Sequence, residues 1–313
     1  LPPNDDTNPD PEEPVTALSN FTPATIVVAS VSRSVQEGRN LMDETEKYLF
    51  DTQGYLRIEG ALSAEELAAA NAAIDAHADK IRIRPNDLAH RSNTLTGEHG
   101  RGDLGGVLTW DPPHCEIFRH LIAHPRLTPY LEALCGPGFR FEGISVITMD
   151  KGAGGFWFHE GGEPYDRARD YLYKNDRMYC GMTNLAVQFA DVGPDDGGFA
   201  CLPGSHKSNY PCPDGIRLYQ AHQDRIVQPT AKAGDVLLFV ETLMHGALPW
   251  RALHQRRTAI IRYNNGVTAN SMPGTWTPPE FFEELTDAQK AVISAPHHRG
   301  EDKGSVLYKT QRK

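Results

Sequence analysis

The sequence predicts a mainly β fold with flanking helices, built as a sandwich or closed barrel and not as a chain of βαβ units. Three observations carry that expectation. Helical patterning is concentrated before residue 136. From residue 139 onward, β-branched and aromatic runs follow one another at close spacing, separated by Gly, Pro and Asp. No internal repeat is visible, and 313 residues with 39% hydrophobic content suit one β-rich domain.

In chain order, residues 1 to 16, "LPPNDDTNPDPEEPVT", combine proline with acid and hold almost nothing apolar, so they read as a tail. The β-branched stretch "TPATIVVASV" (22 to 31) reads as a strand, or as an arm packed on the body or on a second subunit. Residues 1–40 are thus expected to form tail and arm, and 41–313 a single domain. "KYLFDTQGYLRIEGAL" reads as a short helix, a glycine turn and a strand. Ser63-Ala-Glu-Glu66 is a capping box that opens a helix over 64–80. The strands follow as "FRFEGISVITMD", "MTNLAVQFADV", "GGFACLPGS", "DRIVQPTAKAGDVLLFV" and "RRTAIIRYNN".

A formal charge of -10 and a pI near 5.7 exclude a nucleic-acid footprint and a polybasic membrane patch, both of which need clustered Lys and Arg. No stretch approaches the roughly 20 apolar residues of a membrane span. The expected partner is a small molecule, and nothing indicates an oligomeric state. Five cysteines without a C-x-x-C pair point to neither a zinc knuckle nor a disulfide framework, and suit a reducing, intracellular, cytoplasmic setting. The first residue is Leu, which leaves targeting unreadable.

Chemistry is suggested by an ordered set of segments. After "FDTQGYLRIEGALS" come His159 in "GGFWFHEGGEPYD", "ADVGPDDGGFACLPGSHK" at 190–207, "AGDVLLFVETLMHG" at 233–246 with His245, and "RRTAIIRYN" at 256–264. This order resembles the phytanoyl-CoA dioxygenase family of Fe(II)- and 2-oxoglutarate-dependent oxygenases, over roughly residues 45 to 270. The resemblance implies a double-stranded β-helix (jelly roll, cupin-like) core, with Fe(II) and 2-oxoglutarate as cofactors. It implies that His159 and His245 bind the iron. An arginine eleven positions after the second histidine would hold the distal carboxylate of 2-oxoglutarate. That is Arg256, with Arg257 as the alternative if the register slips.

The residue types make physical sense. Iron that must accept both a chelating 2-oxo acid and O₂ needs its protein ligands on one face, and imidazole suits that borderline metal. Residues 86 positions apart, 245 minus 159, can meet on adjacent antiparallel strands. An arginine fork binds a carboxylate by two parallel hydrogen bonds. By the same logic only one of Arg256 and Arg257 can face the barrel interior. A histidine beside Phe156, Trp157 and Phe158 is, taken alone, more often a packing residue. His206 in "PGSHK" reads as structural, and His297-His298 as surface residues of a polar tail.

The family pattern His-x-Asp or His-x-Glu is broken here, because position 161 is glycine. Three accounts stand. The metal has two protein ligands and the vacancy admits water or a halide, as in the 2-oxoglutarate-dependent halogenases of this superfamily. Alternatively another carboxylate replaces the missing one. Glu160 points to the opposite face of its strand, whereas Glu241 lies four residues before His245, at a hairpin turned by Thr242 to Met244, and is the better candidate. Or the protein is an inactive small-molecule-binding jelly roll. "GEPYDRARDYLYKNDRMY" reads as a lid or entrance loop that contacts substrate.

Overall fold

The computed structural model describes residues 42–86, 89, 92–162, 166, 168–268 and 276–297, together with a two-residue strand at 30–31. The tail and most of the expected arm lie outside the described residues. Of the arm, Ser30–Val31 (β1) pairs in parallel with Arg57 and Ile58.

Local sequence rules set the first elements. Helix α1 (Glu44–Gln53) starts from a capping box between Asp43 and Glu46 and stops at Gly54, whose φ of 84° is left-handed; strand β2 (Tyr55–Ile58) follows at once. Helix α2 (Ala64–Ala76) starts from the Ser63/Glu66 box. It ends before residue 80 because His77 turns inward. Its Nδ1 contacts Ala73 O at 2.9 Å and its ring stacks on Trp110 with centroids 3.8 Å apart, which leaves 78–80 as one 3₁₀ turn. Strands β3 (Arg82–Ile83) and β4 (Gly102–Leu104) lead to helices α3 (His114–Leu121) and α4 (Thr128–Cys135).

The β-rich part comprises β5 (Arg140–Met149), β6 (Phe156–His159), β7 (Tyr171–Lys174), β8 (Arg177–Cys180), β9 (Thr183–Gln188) and β10 (Gly198–Cys201). After the one-turn helix α5 (Asp214–Arg217) come β11 (Val236–Val240), β12 (His245–Leu248), β13 (Arg256–Asn264) and helix α6 (Asp287–Val292). Eight strands form one sheet in the order β1-β2-β11-β9-β13-β5-β4-β3, and three form a second in the order β10-β12-β6. Every pairing in the two sheets except β1 with β2 is antiparallel.

The central strand β13 shows how the layers divide. Ala259, Ile261 and Tyr263 are buried on its helix-facing side, where Tyr263 Oη donates to Ile122 O at 2.9 Å. Arg256, Ile260 and Arg262, of the opposite parity, line a cavity between the two sheets. With α2 to α4 on the outer face, both sides of the large sheet are covered, so its strands read as nearly continuous apolar runs and do not show a clean alternation.

Two peripheral expectations meet a different outcome. The described part of the expected lid is a β7–β8 hairpin turned by Asn175 and Asp176, both at positive φ; residues 163–165 and 167 lie outside the described residues. His297 is not a surface residue. It is half-buried, and its backbone N–H donates to Gly266 O at 2.7 Å, which ties the segment after α6 back to the end of β13; His298 is outside the described residues. His206 is buried, as its structural reading expects, with Nε2 donating to Asp51 O at 3.1 Å.

Candidate functional site

His159 ends β6 and His245 begins β12, and the two are Cα partners across the antiparallel ladder. Their ring centroids are 4.1 Å apart. The His245 Nδ1–H donates to Leu243 O at 2.6 Å, and since a carbonyl can only accept, this fixes the tautomer and leaves Nε2 free. His159 makes the same contact more loosely, with Trp157 O at 3.4 Å. Burial pushes the His245 pKa down to about 4. Burial, then the neighbouring His245, also holds that of His159 far below the usual imidazole range. Both rings are therefore neutral near pH 7, the form in which imidazole ligates metal.

Glu241 reaches the same point, but not across a hairpin. Strand β11 belongs to the eight-stranded sheet and β12 to the three-stranded one, so residues 241–244 form the corner where the chain changes sheets. The corner is pinned by Glu241 N–H to Met182 O, Leu243 N–H to Val240 O and Met244 N–H to Ser205 Oγ, at 2.9, 3.0 and 2.8 Å. One donor atom each from His159, Glu241 and His245 lies within 4.8 Å of the others. Asn184 Nδ2 donates to Glu241 Oε2 at 2.5 Å.

The other acid considered, Glu160, is turned away. Its backbone sits at φ 63° and its carboxylate pairs with Arg169 Nη1 at 2.7 Å. Gly161 occupies φ +112°, and its N–H donates to Thr242 O at 3.1 Å. A Cβ there would lie 3.3 Å from Met244 Cε. The glycine thus serves a backbone turn beside the corner that carries Glu241.

Arg256 and Arg257 separate cleanly. Arg256 is buried and lines the cavity, where its Nε has no hydrogen-bond partner and Nη1 meets only Met149 Sδ at 3.2 Å. Gly198 makes room for it, since a Cβ there would fall 2.8 Å from Arg256 Nε. Arg257 faces outward and bonds Asn71 Oδ1 at 3.1 Å and Asp75 Oδ1 at 2.6 Å on α2. Strand alternation thus turns Arg257 away from the cavity that Arg256 lines.

The cavity measures about 180 Å³ and is walled by Phe156, Phe199, Phe239, Ile147 and Ile260. Asn184, Arg262 and Arg101 also line it, and sequence reasoning did not single them out. Their signals were present. Asn184 is a polar residue heading the largely apolar stretch "NLAVQF", and Arg262 shares its strand parity with Arg256. Larger clefts of about 550 and about 380 Å³ lie against α1, α4 and the β7–β8 hairpin and contain none of these residues. A second cluster, Glu66, His120 and His124, joins α2 to the α3–α4 corner. The Arg126 N–H donates to His124 Nδ1 at 3.3 Å, so Nε2 carries the proton given to Glu66 Oε1 at 3.2 Å, which makes the cluster a hydrogen-bonded clamp.

The family model for phytanoyl-CoA dioxygenase (PhyH) matches residues 50–258. The chain belongs to the phytanoyl-CoA dioxygenase family. Among curated relatives, the ectoine dioxygenase of Sphingopyxis alaskensis is 27% identical over 249 residues, covering 69% of this chain and 73% of that protein. Among solved structures, HygX from Streptomyces hygroscopicus, with nickel and 2-oxoglutarate bound, superposes with a TM-score of 0.61 at 20% identity, covering 72% of this chain and 88% of HygX. The 2-oxoglutarate-dependent carbocyclase SnoK from nogalamycin biosynthesis gives 0.55 at 17% identity, covering 72% and 85%. These likenesses show the fold, a double-stranded β-helix, for this phytanoyl-CoA dioxygenase family member. Among the described residues, no helix is long and apolar enough to cross a membrane.

Proposed function

We propose that this phytanoyl-CoA dioxygenase family member is an Fe(II)- and 2-oxoglutarate-dependent dioxygenase that hydroxylates a small molecule, with His159, Glu241 and His245 as its metal face and Arg256 as its 2-oxoglutarate anchor. The observation that carries the reading is the convergence of these four residues on one cavity. A buried guanidinium whose Nε lacks a partner is costly, by several kcal/mol in order of magnitude, unless a ligand supplies the missing acceptor. A carboxylate does so with matched geometry.

When bound, iron and 2-oxoglutarate supply the oxygen-activating chemistry; the chain binds and orients them. The Leu243 carbonyl holds the His245 ring with Nε2 presented. Asn184 holds the Glu241 carboxylate at one oxygen. The phenylalanine and isoleucine walls exclude water from the reacting centre. The same reading takes residues 41–313 as one oxygenase domain. Ectoine and hygromycin B, named with relatives of this chain, illustrate the class of small, polar substrate.

Halogenation is a second reading that rests on Gly161 alone, and Glu241 competes with a halide for the position the glycine would open. Anaerobic titration of the Fe(II) protein with 2-oxoglutarate tests the proposal. A weak visible metal-to-ligand charge-transfer band is expected. Absence of both the band and a thermal shift would favour an inactive binding barrel, and a chloride-dependent change in the band would favour the halogenase.

A further inference from the structure

We propose that the substrate carries a carboxylate, and that Arg262 binds it at the open end of the cavity. The inference rests on the reading above, because it assumes that 2-oxoglutarate takes Arg256.

Arg256 and Arg262 project from the same face of β13, six residues apart, which at ~3.3 Å per residue separates their Cα positions by about 20 Å. The buried Arg256 marks the closed end, and the half-buried Arg262 marks the end that meets solvent. Arg262 lines the same cavity as His159, Glu241 and His245 and is the Cα partner of Asn184, which bonds Glu241, so it sits beside the proposed metal face. Among the described residues its guanidinium has no hydrogen-bond or ion-pair partner. Arg101, by contrast, is held by Asp103 at 3.0 Å, with its guanidinium 5.4 Å from the Phe156 ring centroid.

Charge balance then selects the ligand. Fe(II) and doubly ionised 2-oxoglutarate cancel each other. Arg101 is answered by Asp103, which also meets Arg84, a residue that does not line the cavity, at 3.7 Å, and the formal charges of Glu241 and Arg256 cancel. At the rim Glu160, Asp166, Arg169 and Arg217 sum to zero, with Arg169 bonding both acids at 2.7 Å. Among the cavity-lining cations, Arg262 is the one left with neither an acid against it among the described residues nor a cosubstrate assigned to it. A single carboxylate neutralises it and matches the guanidinium fork, whereas a doubly charged phosphate ester overshoots. The cavity's about 180 Å³ lies below the usual range for a complete ligand site, so the substrate reaches the metal from the Arg262 end and is not engulfed.

The test uses wild type, Arg262→Gln and Arg262→Lys as Fe(II)·2-oxoglutarate complexes under argon. The probes are small aliphatic and cyclic amino acids, each paired with its primary amide, and methyl phosphate. Binding is followed by perturbation of the charge-transfer band and by thermal shift. The expected result is that carboxylate probes bind wild type at least tenfold more tightly than their amides and more tightly than methyl phosphate. That preference should fall to within twofold in Arg262→Gln and return in part in Arg262→Lys, with 2-oxoglutarate affinity unchanged within threefold. The proposal is overturned if Arg262→Gln loses 2-oxoglutarate affinity tenfold, which assigns the residue to the cosubstrate. It is equally overturned if wild type does not prefer carboxylate over amide for any probe, or prefers methyl phosphate. Failure of wild type to form the band at all would instead sink the functional reading beneath it.

Discussion

Asn184 on β9 reaches Glu241 in the corner that follows the neighbouring strand β11, the amide donating to one carboxylate oxygen at 2.5 Å. The bond holds the carboxylate in a fixed orientation beside the two histidines and leaves its second oxygen free of protein partners among the described residues. Outer partners of this kind typically contribute 10–100-fold to metal affinity. Asn184→Ala is therefore expected to weaken Fe(II) binding by about one order of magnitude or more, read by competition with a chromophoric chelator. Wild-type affinity in that variant would count against the orientation argument.

Gly161 invites the repair Gly161→Asp, which would recreate the family's His-x-Asp. The backbone opposes it. At φ +112°, with Met244 Cε 3.3 Å from the position of a Cβ, any side chain is strained. A cost of about 1–3 kcal/mol follows for both Gly161→Asp and Gly161→Ala. Urea unfolding should show similar losses in the two variants and no gain in iron affinity for the aspartate. A stable Gly161→Asp protein that binds iron more tightly than wild type would show the glycine to be a vacated ligand position.

Arg256→Gln should abolish the charge-transfer band at 2-oxoglutarate concentrations that saturate wild type. Arg257→Gln should leave the band intact and cost less than about 1 kcal/mol of stability, because its partner Asp75 has a 64% exposed side chain. Titrating both variants side by side checks the assignment, and the reverse pattern would exchange the two roles.

Much of this architecture was legible in the sequence because it depends on local rules. The Ser63/Glu66 capping box, the glycine stop after α1 and the β-branched runs all specify their own backbone. His159 and His245 were singled out by their surrounding motifs and Arg256 by its spacing of eleven from His245, and it took the strand itself to show which of the two arginines lines the cavity. What the sequence did not yield was long-range. The corner at 241–244 reads as a hairpin until β11 and β12 are seen in different sheets, since turn residues do not record which sheet the next strand joins. Asn184 was visible as a polar residue at the head of an apolar run, but its partner lies 57 residues away. Gly161 reads in sequence as a missing carboxylate, and its left-handed φ, a backbone demand that one letter does not record, became visible only in the fold.

The buried His206 gives a pH prediction. Burial first, then Lys207, lowers its pKa to about 4, against about 6.5 in the unfolded chain. A group whose folded pKa is depressed binds more protons when unfolded, so its stabilising contribution is complete above pH 6.5 and is lost as pH falls toward 4. The loss reaches about 2 kcal/mol at pH 5 by linkage. His206→Asn, less stable at neutral pH, should show a correspondingly flatter stability profile between pH 7 and 5 by chemical denaturation. An unchanged slope would remove His206 from the acid response.

The central claim is that Glu241 completes the metal face that Gly161 leaves short of a carboxylate. Anaerobic Fe(II) titration of wild type, Glu241→Ala and Glu160→Ala, with bound metal counted after desalting, tests it most directly. The account predicts one tightly held iron in wild type and in Glu160→Ala, and loss of stoichiometric binding in Glu241→Ala. Equal iron retention in both variants would contradict it and leave a two-histidine site as the better description.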